Sequence, residues 1–422
     1  MKKTLLALMA SLALAACGGP APVDPANLED ASSNQIARVE PLSWWVGMKT
    51  PLQLMVQGPD ISNCDVTVSG AGLRVKDVHK AASPDYLFVD VEVSASAKPG
   101  TYYFIFTREG ETFKYAYQLR ERRKGSAQRE SFTTADMVYL IMPDRFADAD
   151  ATNEEGFSHI VTPYDDGSEQ PWTIPFLTDK MDRKDPVARH GGDLKGIIDH
   201  LDYIADLGAT AIWCTPLLLD NQPQESYHGY ACADYYHIDP RFGDNALYKT
   251  FVAESHKHGL KVIMDIVTNH CGTAHWWMNN PPFKDWYHVN EPYMQMNALF
   301  SVYMDPNASK ADRDRQESGW FVPSMPDMNL DNPFVLKYFQ QWAIWWVEYA
   351  DLDGLRVDTY PYNEPEPMSK WCKAVLEEYP NLNIVGECWD YNIPQLAYWQ
   401  KDNPNKTGFN SNLPSIMDFP LQ

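Results

Sequence analysis

Two acidic residues stand at the ends of short apolar runs in the second half of the sequence. Asp358 ends the run GLRVD, residues 354–358, and Glu387 follows NIVG, residues 383–386. Each run predicts a buried parallel strand. Parallel strands of an α/β barrel bring their carboxyl ends to one mouth, where active sites form. Two carboxylates facing each other across such a mouth can cleave a glycosidic bond, so the pair predicts a hydrolytic site.

The neighbours of the two acids suit them to different tasks. Arg356 precedes Asp358 by two positions and therefore lies on the same face of its strand. A cation at that place keeps a partly buried carboxylate ionised, as a nucleophile requires. Glu387 follows an apolar strand, and burial in a closed cleft would raise its pKa, as a general acid requires. On residues alone, a plain strand-end role for both acids stays open.

A third run has the same form and supplies further polar groups. KVIMDIVTNH, residues 261–270, places Asp265, Asn269 and His270 at the predicted mouth. Asn269 and His270 are neutral hydrogen-bond donors, suited to sugar hydroxyls or to a carboxylate.

The elements that must position these residues alternate between strand and helix. Strands are predicted at residues 137–143, 209–216, 260–267, 354–360, 383–389 and 415–422, and helices at 194–208, 246–259 and 333–350. This alternation indicates a parallel sheet with helical crossovers, and a doubly wound sheet is the competing topology. A (β/α)8 TIM barrel needs eight strands, and six are counted. We therefore expect an incomplete barrel, truncated at its C-terminal side.

The chain divides into five predicted segments. Short alternating runs between Gly, Pro and Asp turns predict a small immunoglobulin-like β-sandwich before the barrel. The boundaries are a signal peptide at 1–16, a tether at 17–36, the sandwich at 37–122, a linker at 123–134 and the barrel at 135–422, with an inserted loop domain at about 268–332.

The N-terminus predicts export. Lys2 and Lys3 precede an apolar run, residues 5–16, that is too short to span a bilayer as a stable helix. The sequence LAACG around Cys17 resembles a bacterial lipoprotein cleavage box, in which the cysteine is lipidated. The alternative is an ordinary signal peptide with an incidental cysteine. We expect a protein anchored by lipid at the bacterial cell envelope, at the outer membrane or on the periplasmic side.

Composition excludes some partners. The 422 residues carry a formal net charge of -22, which argues against nucleic acid and anionic membrane surfaces as partners. The remaining six cysteines show no zinc-binding spacing. Whether Cys232 pairs with Cys271 stays open.

Several motifs resemble the α-amylase family of glycoside hydrolases. DIVTNH, GLRVDTY and VGECW are similar to three of its four signature regions and occur in the family's order. ESYHGYACADYY, residues 225–236, resembles the family's segment after strand two. MPDMN, residues 325–329, and the β-rich front domain resemble the neopullulanase and cyclomaltodextrinase branch. The resemblance implies a retaining hydrolase of α-1,4 bonds, with α-1,6 bonds left open, in maltooligosaccharides, cyclodextrins or pullulan.

The resemblance also implies roles for individual residues. Asp358 would be the nucleophile and Glu387 the acid and then the base, about 5–5.5 Å apart. Arg356 would hold Asp358, and Asp265 would support the site structurally. His270 and His228 would hydrogen-bond the sugar, with Asn269 beside them. Tyr230 would stack beneath that sugar, and Trp389 would form a platform on the leaving-group side. The family's fourth region, with a second Asp, has no match after Glu387. We therefore expect this stretch, expressed alone, to be inactive.

A loop rich in oxygen ligands predicts a structural calcium ion. The candidate ligands are Asp148, Asp150, Asn153 and Glu154, together with Gly191 and Asp193, which the resemblance adds. An acidic surface turn is the alternative.

Other readings of the whole protein stay open. A homodimer through the N-terminal module is implied by the branch. The alternative functions are a non-catalytic, lipid-anchored glycan-binding protein and a transglycosylase or isomerase of the same family.

Overall fold

The structure is a computed structural model that describes residues 24–153, 159–161, 172–174 and 177–421, with the backbone alone at 159–161 and 172–174. The predicted signal peptide, Cys17 and Glu154 lie outside the described residues. Within them, no helix has the length and apolar character needed to cross a bilayer.

The first domain is a β-sandwich. Its strands are β1 (Arg38–Glu40), β2 (Ser43–Trp45), β3 (Leu52–Gln57), β4 (Asp65–Val68), β5 (Leu73–Lys80), β6 (Tyr86–Val93), β7 (Gly100–Arg108) and β8 (Glu111–Arg120). One sheet has the order β1-β3-β6-β5 and the other β2-β8-β7-β4. Every pair is antiparallel except β2 with β8. In β8, Phe113, Tyr115, Tyr117 and Leu119 are buried at alternate positions, as expected for a strand with one face on a core.

The second domain is built on a parallel sheet. Its strands are β9 (Val138–Ile141), β10 (His159–Val161), β11 (Trp172–Ile174), β12 (Ala211–Cys214), β13 (Leu218–Leu219), β14 (Asp234–Ile238), β15 (Lys261–Ile266), β16 (Gly354–Val357), β17 (Asn383–Gly386) and β18 (Ser415–Ile416). Six of them pair in parallel in the order β9-β12-β15-β16-β17-β18, and the other four form two short antiparallel pairs. This is the parallel sheet predicted from the alternation, with six strands in the described part of the chain.

Helices connect the parallel strands. They are α1 (Leu194–Ile198), α2 (Leu201–Asp206), α3 (Asn245–Lys257), α4 (Lys310–Ser318), α5 (Pro333–Ala350), α6 (Pro365–Glu378) and α7 (Ile393–Tyr398). α5 begins at the Asn332 cap, whose side chain accepts from the N–H of Phe334, and it buries thirteen of its eighteen residues. It is hydrophobic almost all round because strand β3 of the sandwich and helices α3 and α6 all pack against it.

Two sequence predictions were wrong in detail. The single helix predicted at 194–208 is divided into α1 and α2, because the N–H of His200 bonds the carbonyl of Ile197 while the His200 ring bonds that of Gly196. The sixth strand, predicted at 415–422, is only two residues long, and a 3-10 turn follows at Phe419–Leu421.

Candidate active site

The parallel ladder itself positions the two acids. β16 pairs with β15 so that Arg356 lies beside Asp265, and with β17 so that Val357 lies beside Gly386. The main chain continues the ladder one step further, because the N–H of Asp358 bonds Ile266 (2.9 Å) and that of Glu387 bonds Val357 (2.9 Å). Asp358 and Glu387 therefore stand directly after neighbouring strands, at the same edge of the sheet.

Arg356 joins the acidic residues through one guanidinium group. Its Nη1 donates to Asp358 (2.6 Å) and to Asp265 (3.0 Å), and its Nη2 contacts Glu387 at 2.8 Å. The indole of Trp213 lies 4.9 Å from the guanidinium carbon, and its Nε1 donates to Asp265 (2.9 Å). Three carboxylates in a mostly buried setting are thus held together by one planar cation.

The electrostatics differ from acid to acid. Burial raises the pKa of Glu387 to about 7, and the Asp358 charge adds to this, while Arg356 and the N–H of Thr359 oppose it. Burial likewise raises the pKa of Asp265 to about 6 against the opposing charge of Arg356. Burial lowers the pKa of the Arg356 guanidinium, but the three carboxylates outweigh burial and hold that pKa above its ordinary value. Arg356 is therefore always charged, and Glu387 is the acid that can carry a proton near neutrality.

A strained turn fixes the second oxygen of each acid. Thr359 has φ 45° and ψ 40°, a left-handed conformation that is costly for a β-branched residue. Its hydroxyl donates to Asp358 (3.1 Å) and its N–H donates to Glu387 (2.9 Å). Sequence reasoning missed Thr359, since no propensity signals a positive φ at threonine.

A cavity of about 520 Å³ opens over the two acids. Its lining residues are His228, Tyr230, His270, Met296, Phe321, Met325, Arg356, Asp358, Thr359, Tyr362, Glu387 and Trp389. The predicted residues that meet here are the two acids, Arg356, both histidines, Tyr230 and Trp389. Asn269 and Asp265 do not line the cavity, and they contact residues that do, His270 and Arg356 respectively.

Asn269 orients His270. It donates from Nδ2 to Asp327 (2.8 Å), and its Oδ1 therefore faces Nδ1 of His270 (3.1 Å) and accepts from it. Nε2 of His270 lies 3.2 Å from the carbonyl of Tyr230. The pKa of His270 is lowered by burial, although the Asp358 charge opposes this.

The loop of residues 226–231 brings two further groups to the cavity. The N–H of Tyr230 donates to Nδ1 of His228 (2.9 Å), which leaves Nε2 of His228 to carry the hydrogen in the neutral form. Burial and the neighbouring His270 lower the pKa of His228 to about 4. The hydroxyl of Tyr230 donates to Asp265 (3.2 Å), which fixes its ring against the floor of the site. His228 is thus a neutral donor at neutral pH.

An apolar wall comes from the inserted segment and was missed from the sequence. Met296, Phe321 and Met325 line the cavity, and Phe321 stacks on His270 with ring centroids 5.7 Å apart at 16°. Residues 294–296 are bonded to Trp320 by two main-chain hydrogen bonds of 3.1 and 2.9 Å. These contacts join residues that are far apart in the sequence and lie in a segment without helical or strand periodicity, so no sequence pattern predicted them.

The predicted calcium loop is organised around Asp193. Its Oδ2 accepts from the N–H groups of Ala149 (3.3 Å) and Asp150 (2.9 Å), and its Oδ1 caps α1. Asp148 is paired with Arg183. Oδ1 of Asn153 is buried with no hydrogen-bond partner in the described part of the chain.

The donor set of this loop fits a hard cation in part. Gly191 has φ +89°, a conformation that residues with a Cβ rarely adopt, so the turn facing the loop favours glycine; a Cβ there would also displace the Met181 sulfur, at 2.7 Å. Within residues 24–153 and 177–421, no three side chains of His, Cys, Asp and Glu converge as a metal centre. The oxygen of Asn153 is the group that lacks a partner, and Asp148 would have to leave Arg183 to join it.

The six cysteines of the described chain are buried and unpaired, Cys232 and Cys271 included.

Similarity to known proteins supports the family on two counts. Residues 140–418 match the profile of the alpha amylase catalytic domain, and residues 38–123 match that of the cyclomaltodextrinase N-terminal domain. The chain is 33% identical over 291 residues to a cyclomaltodextrinase from Geobacillus thermopakistaniensis, and 32% identical over 290 residues to neopullulanase 2 from Thermoactinomyces vulgaris. These alignments cover 67% and 66% of this chain but 41% and 42% of the relatives, so the chain spans about two fifths of their length.

A solved structure agrees with this assignment. A crystal structure of an α-amylase from Anoxybacillus superposes with a TM-score of 0.54 at 31% identity, covering 68% of this chain and 52% of the other. The ladder that carries Asp358 and Glu387 lies inside the matched region. The chain therefore belongs to the α-amylase family of glycoside hydrolases and carries the TIM-barrel catalytic domain of that family behind a cyclomaltodextrinase-type N-terminal domain.

Proposed function

We propose that the protein is a retaining α-glucan hydrolase acting on α-1,4 bonds of maltooligosaccharides, cyclodextrins or pullulan. The observation that carries the proposal is the contact of one guanidinium with both Asp358 (2.6 Å) and Glu387 (2.8 Å), beside a cavity large enough for sugar residues. Related proteins named cyclomaltodextrinase, neopullulanase and maltogenic α-amylase support the substrate class.

The mechanism follows from the different settings of the two acids. Asp358, paired with Arg356, attacks the anomeric carbon, while protonated Glu387 gives its proton to the leaving oxygen. The glycosidic bond breaks and an ester to Asp358 forms. Glu387, now a carboxylate, takes a proton from water, the water oxygen attacks the same carbon, and the ester breaks. Two inversions retain the α configuration.

The experiment removes each acid in the complete gene product. Asp358→Asn and Glu387→Gln should each lower the hydrolysis of pullulan and maltotetraose by about 10³-fold or more, because each step needs both groups. Asp202→Asn, at an exposed carboxylate on α2, serves as the control and should keep full activity. Proton NMR should show the α anomer as the first product. Binding of maltotetraose without any hydrolysis by the native protein would favour the glycan-binding alternative.

We also propose a calcium ion at the loop of Asp148, Asp150 and Asn153, next to Asp193. The support is the buried oxygen of Asn153, which has no hydrogen-bond partner among the described residues, and the positive-φ turn at Gly191. The ion would hold the start of α1 against the loop. Chelation should lower the melting temperature of the native protein, and Asn153→Ala should remove that response. Asp182→Asn, an exposed acid on the neighbouring loop, should retain it. A melting temperature indifferent to chelator would contradict the site.

Export and lipid attachment at Cys17 form a third proposal, supported by the sequence of the leader. Cells expressing the protein should incorporate labelled fatty acid into it, and Cys17→Ser should abolish the labelling. Labelling that persists in Cys17→Ser would contradict attachment at that residue.

A further inference from the structure

Trp389 is the most exposed large ring in the active-site cavity, with 56% of its surface accessible. A tryptophan on an open surface can turn among rotamers, and a freely turning ring makes a poor platform for a sugar. Two contacts, to Phe419 and to Tyr391, restrict this ring, and both partners lie outside the cavity lining.

Phe419 covers one face of Trp389. The two rings are stacked, with centroids 5.5 Å apart and planes 5° from parallel. Tyr391 holds the edge, since Nε1 of Trp389 donates to its hydroxyl (3.3 Å), and the ring of Tyr391 packs edge-on against Phe419 at 6.4 Å. The stacking contact restricts tilting of the indole and the hydrogen bond restricts its edge, while the side chain remains part of the cavity lining.

The parallel ladder explains why the two rings meet. β17 and β18 are in register with Gly386 opposite Ile416, and each ring lies three residues beyond that pair. The main chain stays tied past the strands, because the N–H of Met417 bonds the carbonyl of Gly386 (3.1 Å). The pairing of β17 with β18 thus places Phe419 against Trp389, and β17 also carries Glu387 at its end. The orientation of the indole is therefore fixed relative to the Glu387 carboxylate.

We propose that Phe419 and Tyr391 are positioning residues that set Trp389 as the stacking platform for a glucose unit on the leaving-group side of the cleaved bond. The inference rests on the proposed hydrolase function. Loss of the Phe419 ring would release the indole and weaken binding of the leaving-group sugar, while the acids and the other side of the cleft would be untouched.

Two substrates separate this role from a structural one. Maltotetraose places sugars on both sides of the cleaved bond, whereas α-maltosyl fluoride has fluoride as its leaving group and no sugar there. In the complete gene product, Phe419→Ala should lower kcat/KM for maltotetraose about tenfold, with the change mostly in KM, and should change the value for the fluoride by less than about twofold. Phe419→Tyr, which keeps the ring, should restore the native values. Tyr391→Phe, which removes the hydroxyl alone, should show a smaller loss with the same selectivity.

The results distinguish a positioning role of Phe419 from a purely structural one. Equal losses on both substrates, or a fallen melting temperature, would show that Phe419 only supports the fold, and unchanged values on both would show that it does not position Trp389. If the native protein hydrolyses neither substrate, the proposed function fails independently. Calorimetric binding of maltotetraose then tests the platform, with about tenfold weaker binding expected for Phe419→Ala and equal binding contradicting it.

Discussion

Arg356 is the side chain that contacts all three carboxylates of the site. It is buried among Asp265, Asp358 and Glu387. A single positive charge cannot neutralise three carboxylates, so one acid in the group must take up a proton most readily. The raised pKa of Glu387, which faces the cavity, makes it that acid. Asp265 is turned instead toward Trp213 and Tyr230, which supports its assignment as a structural group.

The pH dependence of hydrolysis tests this division. Glu387 must be protonated to serve as the acid, and its pKa is raised to about 7, so kcat/KM for maltotetraose should be full below that pH and fall as pH rises through about 7. The departure of fluoride needs no proton from Glu387. The profile for α-maltosyl fluoride should therefore lack this basic limb, and the presence of the same limb with both substrates would assign it to another group.

Helices α5 and α6 join the two domains, and this joint rests on buried polar contacts. The hydroxyl of Tyr338 donates to Glu40 (2.8 Å), Gln341 exchanges two hydrogen bonds with Gln53, and Nε1 of Trp345 donates to Ser43 (3.2 Å). The end of α6 adds Glu378, whose Oε2 accepts from the N–H groups of Lys49 and Thr50 at 2.9 Å each. Hydrogen bonds from both helices therefore attach residues 40–53 of the sandwich to the helical layer.

Removing Glu378 should loosen this joint strongly. Its carboxylate is fully buried and is also paired with Arg122 at 2.6 Å, so Glu378→Ala leaves two N–H groups without their acceptor and leaves Arg122 with Glu348 as its remaining carboxylate partner. We expect a loss of about 3–5 kcal/mol in the free energy of unfolding, measured by urea denaturation. Glu377→Ala, one position earlier with a side chain that is 64% exposed, should change it by less than about 0.5 kcal/mol. Equal effects from the two variants would show that the joint does not depend on the carboxylate.

The sequence predicted the elements with strong local signals and missed those set by contacts at a distance. α5 has the predicted bounds because Asn332, Pro333 and an apolar run define it locally. The meeting of Asp358 and Glu387 at one edge of the sheet was predictable because each acid directly follows its apolar strand in the sequence. The wall of Met296 and Phe321 was not predictable, since its residues are separated by an irregular segment and meet only through the main-chain bonds at Trp320. The turn at Thr359 was missed because tertiary contacts impose its strain.

At the scale of the whole molecule, the interface between the domains encloses a charged cluster. Arg38 donates to Asp234 (2.6 Å) and lies 3.5 Å from Glu40, and His237 lies 3.0 Å from Asp234. Burial raises the pKa of Glu40 to about 7; the Asp234 charge adds to this, while Arg38, the Tyr338 hydroxyl and His237 oppose it. For Asp234, burial is outweighed by His237 and Arg38, and its pKa is held below the ordinary range. Both carboxylates thus interact with Arg38, and Asp234 is the one that stays ionised while the pKa of Glu40 is raised.

The raised pKa of Glu40 makes the attachment of the sandwich depend on pH. A glutamate whose pKa is raised in the folded state contributes its full stability below its ordinary pKa of 4.5 and loses that contribution as pH rises through about 7. The native protein should therefore lose roughly 1–3 kcal/mol of unfolding free energy between pH 5 and pH 8, measured by urea denaturation at fixed ionic strength.

Glu40→Gln isolates this effect because it keeps an oxygen for the Tyr338 hydroxyl and removes the titration. Its unfolding free energy should vary less with pH than that of the native protein, and the two should differ most at pH 8, where native Glu40 is charged. Glu92→Gln, at an exposed acid of the same domain, should follow the native curve. A slope between pH 5 and 8 that persists unchanged in Glu40→Gln would place the titrating group elsewhere and would leave the interface cluster with a fixed charge.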